Sequence, residues 1–415
     1  MRQMKNSGIE WVGEIPDSWE VTKTKYQFQY KKEIAGLCCN KYERLALTMK
    51  NVVKRSKEDN TGLQPEKFET YQILRKDELV FKLIDLQNVS TSRVGRSPFV
   101  GIVSPAYIIL RQNGKVLPCY AEKYFFVLWK NQIFNSLGDD GVRSNLGKDD
   151  LLNIPMPIPS LSEQKAIAEF LDKKCGEVDA LIADIQQEIE TLEQYKRSVI
   201  TEAVTKGLDP SVPMKDSGID WVGKIPAIWE TKRIAAFYQL RNEKVSDKDF
   251  PPLSVTKQGV LPQLETVAKT DDGDNRKLVR KGDFAINSRS DRRGSCGISD
   301  YDGSVSLINI VLKPRREANN KYYNWLFHTE QFADEFYKWG NGIVDDLWTT
   351  RWQNMKKIII PVPPIEEQQQ IADYLDKKCK EIEEIIADKQ SQIETLESYK
   401  KSLIYEYVTG KKEVG

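Results

Sequence analysis

Two long stretches of the chain carry apolar residues at alternating spacings of mostly four and three. Ile167, Leu171, Cys175, Val178, Ile182, Ile185, Ile189, Leu192 and Val199 mark the first stripe. Ile371, Leu375, Cys379, Ile382, Ile386, Ile393, Leu396 and Leu403 mark the second, with Lys389 as its polar interruption. That period is a heptad seam on an α-helix. Neither stretch contains proline, and the prolines just upstream (Pro155, Pro157 and Pro159; Pro361, Pro363 and Pro364) stop backward continuation. Ser162 or Glu163, and Glu366 or Glu367, open the helices where the dipole favours acid. Each helix is predicted at about 42 residues, a rod of roughly 60 Å. A stripe of that length needs a partner. The simplest partner is the other helix, packed antiparallel; the alternative lays each helix along its own globular domain.

Outside the helices the pattern changes to short apolar runs. QILR, ELVF and AYIILR in one region, and KLVR, FAIN and SVSLINIVLK in another, are broken by Gly, Asp, Asn and Pro. Aromatic helical runs follow, so each region is predicted as a compact α/β domain with a mixed sheet. The expected boundaries are a domain over 1–155, a long helix over 156–207, a second domain over 208–357 and a second long helix over 358–415.

The chain repeats itself. MKNSGIEWVGEIPDSWE, from Met4, returns as MKDSGIDWVGKIPAIWE, from Met214, with 12 of 17 positions identical. MPIPSLSEQKAIAEFLDKKC, from Met156, returns as IPVPPIEEQQQIADYLDKKC, from Ile360, at an offset of 204, and the match runs on through IAD, IETLE and YK. A repeat of this kind marks a tandem duplication. Between these blocks only echoes survive: LRKDELVF with VRKGDFAI, GIVSPAYIILR with GSVSLINIVLK, KYFFVLW with KYYNWLF.

Charge follows the same division. The net charge of +1 hides +6 over residues 1–155, +4 over 206–357, −5 over 156–205 and −4 over 358–415. Basic domains suit a polyanion, although an ordinary solvated surface carries such charges too. Local runs favour DNA: KNVVKRSK (50–57), STSRVGRS (90–97) and NSRSDRRGS (287–295) mix Arg and Lys with Asn and Ser. Arg reads guanine edges, Asn and Gln reach adenine, and Ser or Thr holds phosphate.

Several chemistries are set aside. The six cysteines form no CxxC, and His328 is the single histidine; the thiols read as free and His328 as structural. No GxxxxGK[ST], GxGxxG, HExxH or GxSxG occurs, nor any N-P-P-Y or D-P-P-Y run of an amino-methyltransferase. Asp139-Asp140, Asp149-Asp150, Asp271-Asp272 and Asp345-Asp346 read as turns or caps before magnesium ligands. No apolar run approaches the roughly 20 residues of a membrane span, and MRQMKNSGIEW holds no apolar signal core. A cytoplasmic place is expected.

The duplicated SGI[ED]WVG[EK]IP openers, [MI]PxP…EQ…IA…LDKKC junctions and IETLE…YK tails together resemble the specificity subunit of prokaryotic type I restriction-modification enzymes, over Met4 to about Val408. The resemblance implies two pseudo-twofold-related target recognition domains, each reading half of a bipartite double-stranded DNA site. It implies an antiparallel coiled coil that sets the spacer. It also implies two modification subunits that methylate adenine with S-adenosylmethionine and two restriction subunits that use ATP and magnesium. This chain itself would be non-catalytic, with no cofactor of its own. A coiled-coil protein-binding scaffold is the alternative, and a self-sufficient nuclease a third.

Target residues do not carry over, so candidates rest on residue chemistry. For the first half-site they are Lys50, Asn51, Lys54, Arg55, Arg93, Arg96 and Arg143. For the second they are Lys257, Gln258, Asn287, Arg289, Arg292 and Arg293. Residues 50–55 and 257–258 follow the aligned LALT and LSVT segments. Trp11, Val12, Ile15 and Trp19, with Trp221, Val222, Ile225 and Trp229, either join a partner surface or staple each domain to the helices.

Overall fold

Prolines delay both long helices. The first runs from Leu161 to Lys206 and the second from Ile365 to Val408, 46 and 44 residues. Upstream of each, the Pro-rich segment cannot donate a helical ladder and is extended instead. Pro155–Ile158 pairs antiparallel with Glu20–Lys23, and Ile359–Val362 with Glu230–Arg233. The residues at 156 and 358, expected to begin helices, therefore belong to the approach, in both copies. The structure, a computed structural model, describes residues 2–49, 51–59, 67–86, 91–138, 145–263, 273–315, 318–342 and 348–415.

The chain divides into two units, Met1–Ile185 with Ser391–Gly415, and Gln186–Gln390. Each holds one α+β domain and a part of both long helices. In the first unit the rings of Phe170 and Tyr407 lie 4.5 Å apart, and Asp179 meets Lys400. In the second, Glu188 meets Lys389 and Lys196 meets Glu383. As one number rises the other falls, so the helices pair antiparallel in both units.

The seam is deepest near the domains. Ile167, Leu171, Leu403 and Val408 are buried in the first unit, and Ile371, Leu375, Ile382 and Val204 in the second. Nearer the middle the seam alternates: Ile185 and Ile393 are buried, while Ile182, Ile189, Leu192, Ile386 and Leu396 are half-buried.

Each domain is built on strands that pair mostly antiparallel; in the first unit Gly101–Val103 also pairs parallel with Arg44–Leu47, so that sheet is mixed, as expected. In the first unit one sheet runs in the order Phe28–Tyr30, Ile108–Gln112, Leu79–Phe81, Val94–Arg96. Its counterpart in the second runs Tyr238–Leu240, Asn309–Pro314, Phe284–Asn287, Cys296–Ile298. The registers match the echoes in sequence: Val80 faces Ile109, and Ala285 faces Val311. SVSLINIVLK, read as one run, is two strands, Gly303–Val305 and Asn309–Pro314. The aromatic runs are helices, Pro118–Lys130 and Asn320–Phe327. Tyr124, Phe125 and Leu128 in one, and Tyr322, Tyr323 and Leu326 in the other, are buried against the sheet and the long helices.

Candidate nucleic-acid interface

The aligned segments LALT and LSVT each open a β-hairpin. Arg44–Leu47 pairs with Val52–Arg55, and Leu253–Thr256 with Gly259–Pro262. The turns are built alike: Thr48 Oγ1 donates to the Asn51 carbonyl at 2.7 Å, and Thr256 Oγ1 to the Gly259 carbonyl at 3.0 Å. Each hairpin lies on a glycine-bearing strand. A Cβ on Gly101 would stand 2.6 Å from the Glu43 carbonyl oxygen, and one on Gly303 2.6 Å from that of Pro251. Only glycine admits so close an approach. The frame is common to both units, while the tips differ in sequence.

The hairpins carry some of the candidate readers. Asn51, Lys54, Lys257 and Gln258 are exposed. The Lys54 ammonium lies over the Phe99 ring, 5.5 Å from its centroid. Arg55 is tied to Asp59 at 2.7 Å, which raises its pKa. Lys50 and Arg143 lie outside the described residues.

Arg93 and Arg96 sit differently from what their loop-like sequence suggests. Arg93 is fully buried, donating to the Asp85 carbonyl at 2.6 Å, and burial lowers its pKa. Such a guanidinium is turned inward, onto the backbone at Asp85. Arg96 lies on the strand Val94–Arg96 and meets Asp77 at 2.8 Å and Glu122 at 3.5 Å. Burial opposes its charge, but the two carboxylates prevail and its pKa rises. The signal missed was the apolar neighbourhood of Val94 and Gly95, which marks a core strand.

The second unit gathers four candidates on one loop. Asn287 ends the strand Phe284–Asn287, and its side chain accepts from the Arg289 N–H at 3.1 Å. Arg289 grips Asp291 through two hydrogen bonds of 2.9 and 3.0 Å. Arg292 is within 3.7 Å of the same carboxylate, and Arg293 pairs with Asp334. This cluster is half exposed, and its three guanidinium groups share two carboxylates, so meeting a phosphate or base would exchange these partners.

The duplicated motifs do not line an outer surface. Ile15, Trp19, Ile225 and Trp229 are buried, and Val12 nearly so, while Trp11, Trp221 and Val222 are half-buried. The Trp19 indole donates to Glu163 at 3.1 Å and that of Trp229 to Glu367 at 2.8 Å. Their positive-φ glycines, Gly8 and Gly13 with Gly218 and Gly223, close the opener turns.

Sequence reasoning did not foresee the rest of this junction. Gln164 accepts from the Leu117 N–H at 2.7 Å, and Gln368 from the Asn319 N–H at 3.2 Å. Those N–H groups lie at the caps of the two aromatic helices. Lys123 meets Asp172 at 2.6 Å, and Lys321 meets Asp376 at 3.2 Å. The Tyr120 and Tyr322 hydroxyls donate at 2.8 Å to the carbonyls of Val408 and Val204, at the end of the other long helix. Burial raises the pKa of both phenols, which keeps them neutral donors. The signal was present: EQ, the Asp of LDKKC and the Lys of KY are all repeated.

Of the acidic pairs, Asp149-Asp150 opens the short helix Lys148–Asn153, where Asp150 accepts from the Gly147 N–H. Asp139-Asp140, Asp271-Asp272 and Asp345-Asp346 lie outside the described residues. Among the described residues no group of three His, Cys, Asp or Glu is placed to hold a metal ion. No described helix is long and apolar enough to cross a membrane.

Two copies of one loop-bearing α+β domain, each clamped to paired helices by the same contacts, define a tandem presenter of variable loops. The family model described as type I restriction modification DNA specificity domain matches residues 19–191 and again 226–395, and the chain belongs to that family. It is 25% identical over 425 residues to the putative type I restriction enzyme MjaX specificity subunit of Methanocaldococcus jannaschii, covering 96% of this chain and 95% of that protein. It is 23% identical over 410 residues to the EcoKI specificity subunit of Escherichia coli strain K12, covering 88% of this chain and 83% of that one. A solved structure described by the assembly and conformational transition of the type I R-M system has the same fold, with a TM-score of 0.70 at 13% identity over 96% of this chain and 99% of that one. The crystal structure of the HsdS subunit from Thermoanaerobacter tengcongensis matches at a TM-score of 0.50 and 15% identity, covering 96% and 98%.

Proposed function

We propose that this chain is the DNA sequence-specificity subunit of a type I restriction-modification enzyme. One observation carries the reading: the duplication keeps the contacts that fasten each domain to the helices and leaves the hairpin tips and the 287–295 loop free to differ. Two readers with a common mount and different faces suit a DNA site of two unlike halves. Each domain reads one half, and the paired helices hold the spacer between them. The exposed hairpin residues (Asn51, Lys54, Lys257 and Gln258) and the loop of Asn287, Arg289, Arg292 and Arg293 are the side chains offered to DNA. Lys50 and Arg143 stay on that list from their chemistry alone.

In this reading the chain performs no bond chemistry. Two modification subunits bring S-adenosylmethionine and methylate an adenine in each half-site. Two restriction subunits bring ATP and magnesium. The complex works in the prokaryotic cytoplasm.

The decisive test maps methylated adenines in the native cell with and without this gene. A bipartite motif that disappears with the gene is the expected result; an unchanged methylome overturns the reading. Inserting four residues into IETLE of both helices should move the spacer. Binding of bipartite DNA should weaken steeply with salt, because phosphate contacts release counterions. A salt-independent interaction would favour a protein-binding scaffold instead.

A further inference from the structure

Three lysines stand in the apolar seams. Lys196 falls between Leu192 and Val199, Lys389 between Ile386 and Ile393, and Lys400 between Leu396 and Leu403, each three or four residues from its neighbours. The heptad asks for an apolar group at each place. Their side chains are only 25%, 24% and 22% exposed, so the stems lie along the seam and the ammonium groups reach outward. Each meets an acid of the facing helix. In the second unit Lys196 pairs with Glu383, and Lys389 with Glu188. In the first, Lys400 lies 2.6 Å from both carboxylate oxygens of Asp179.

Two of these pairs are one pair kept twice. Lys196 and Lys400 are 204 residues apart, as are Asp179 and Glu383. The third is single, since the repeat puts Ile185 and Gln392 where the other half has Lys389 and Glu188. Each lysine has one half-buried and one buried seam neighbour: Leu192 and Val199, Ile386 and Ile393, Leu396 and Leu403.

We propose that Lys196, Lys389 and Lys400 are positioning residues that fix the axial register of the two helices and so narrow the half-site spacing the subunit accepts. The spacing part rests on the function proposed above. An apolar seam is degenerate under a slide of one heptad, because Ile, Leu, Val and Cys exchange for one another. The lysines break that degeneracy. A slide in one direction sets Lys196 opposite Gln390, Lys400 opposite Gln186 and Lys389 opposite Tyr195. The reverse slide sets Lys196 and Lys400 opposite Asp376 and Asp172, already held by Lys321 and Lys123, and Lys389 opposite Leu181. Either way a seam ammonium loses its own carboxylate; a solvated pair of this kind contributes only modestly, so it is the three together that favour the native register. One polar side chain at a seam position is a known means of specifying register at some cost in stability. The tyrosine and tryptophan contacts fix each domain on the helix ends; the lysines act between those ends.

The test uses the full chain with its modification subunits. Wild type and the triple variant Lys196→Met, Lys389→Met, Lys400→Met select bound DNA from a library of half-sites with randomised spacer length. The variant should fold, melt at the same or higher temperature and lose at least tenfold in discrimination between adjacent spacers. The exchange Lys196→Glu, Lys400→Glu with Glu383→Lys, Asp179→Lys should restore it. A folded triple variant that keeps wild-type discrimination overturns the proposal. A second arm needs no DNA: carbodiimide cross-linking with peptide mass spectrometry should join Lys389 to Glu188 in wild type. That yield should fall at least tenfold in Lys196→Met, Lys400→Met, and an unchanged yield overturns the register claim. A wild-type chain with no bipartite preference sinks the DNA reading, while the cross-links still decide the register.

Discussion

In the first unit the Trp19 indole reaches Glu163 at 3.1 Å; in the second the Trp229 indole reaches Glu367 at 2.8 Å. Lys123 with Asp172 is answered by Lys321 with Asp376, and Tyr120 with Val408 by Tyr322 with Val204. The hairpin tips show the opposite. They share the Thr48 and Thr256 turn bond, yet one tip continues into Asn51 and the other into Lys257 and Gln258. Mount and face thus answer to different constraints. The mount must present the same angle twice, so its contacts are held in pairs. The face must differ if the two halves of a target differ. The comparison teaches where to look for specificity: in what the repeat fails to preserve.

The largest effect is expected at the mount. Trp19→Ala removes a buried ring and its hydrogen bond to Glu163, and should destabilise the first unit by about 3–5 kcal/mol. Trp229→Ala should do the same to the second. Hydrogen exchange read by unit checks this: each variant should raise exchange in its own unit first. If Trp229→Ala loosened the first unit equally, the two mounts would not be independent equivalents.

A smaller effect is expected beneath the face. Gly101→Val places carbon where the Glu43 carbonyl and the Leu45 side chain already stand. The hairpin must lift, at about 1–3 kcal/mol. Selection from a half-site library should show weakened reading of the first half and an intact second half; Gly303→Val should reverse the pattern. Equal loss at both halves would mean that the hairpins do not read separately.

The helices and the sheet skeleton were legible because their signals are long or repeated. A seam of nine apolar positions admits one period, and the echoes LRKDELVF and VRKGDFAI fall on matching strands with the turn between them. The helix starts themselves were legible to within two residues, but the segment boundaries at 156 and 358 came early, because Pro155–Ile158 and Ile359–Val362 are strands that pair with Glu20–Lys23 and Glu230–Arg233. Arg93 shows the limit of residue chemistry. STSRVGRS looks like a polar DNA-facing loop, but Val94 and Gly95 sit in the sheet and draw the guanidinium inside. The partners of Gln164 and Asp172 were illegible for another reason: repetition tells which residues are kept, not what they touch.

The smallest effect separates the units by pH. The chain has one histidine, in the second unit. Its Nδ1 lies 2.7 Å from the Asn324 carbonyl, which can only accept, so Nδ1 carries the proton. Nε2 then faces the Cys296 thiol at 3.7 Å as an acceptor. Burial lowers the pKa of His328 below its ordinary value of 6.5, with the Lys196 charge adding to the shift. The unfolded chain therefore takes up a proton at a higher pH than the folded one. The stability this site contributes is complete above about pH 6.5 and is lost as pH falls from there through the folded pKa, at no more than about 1.4 kcal/mol per pH unit. Hydrogen exchange between pH 7.5 and 5.5, corrected for the intrinsic rate, should show the second unit weakening more than the first. His328→Asn keeps a donor for Asn324 and carries no titrating ring, so it should remove the difference between units. Were the difference to persist in that variant, its source would lie in carboxylates that the two units do not share.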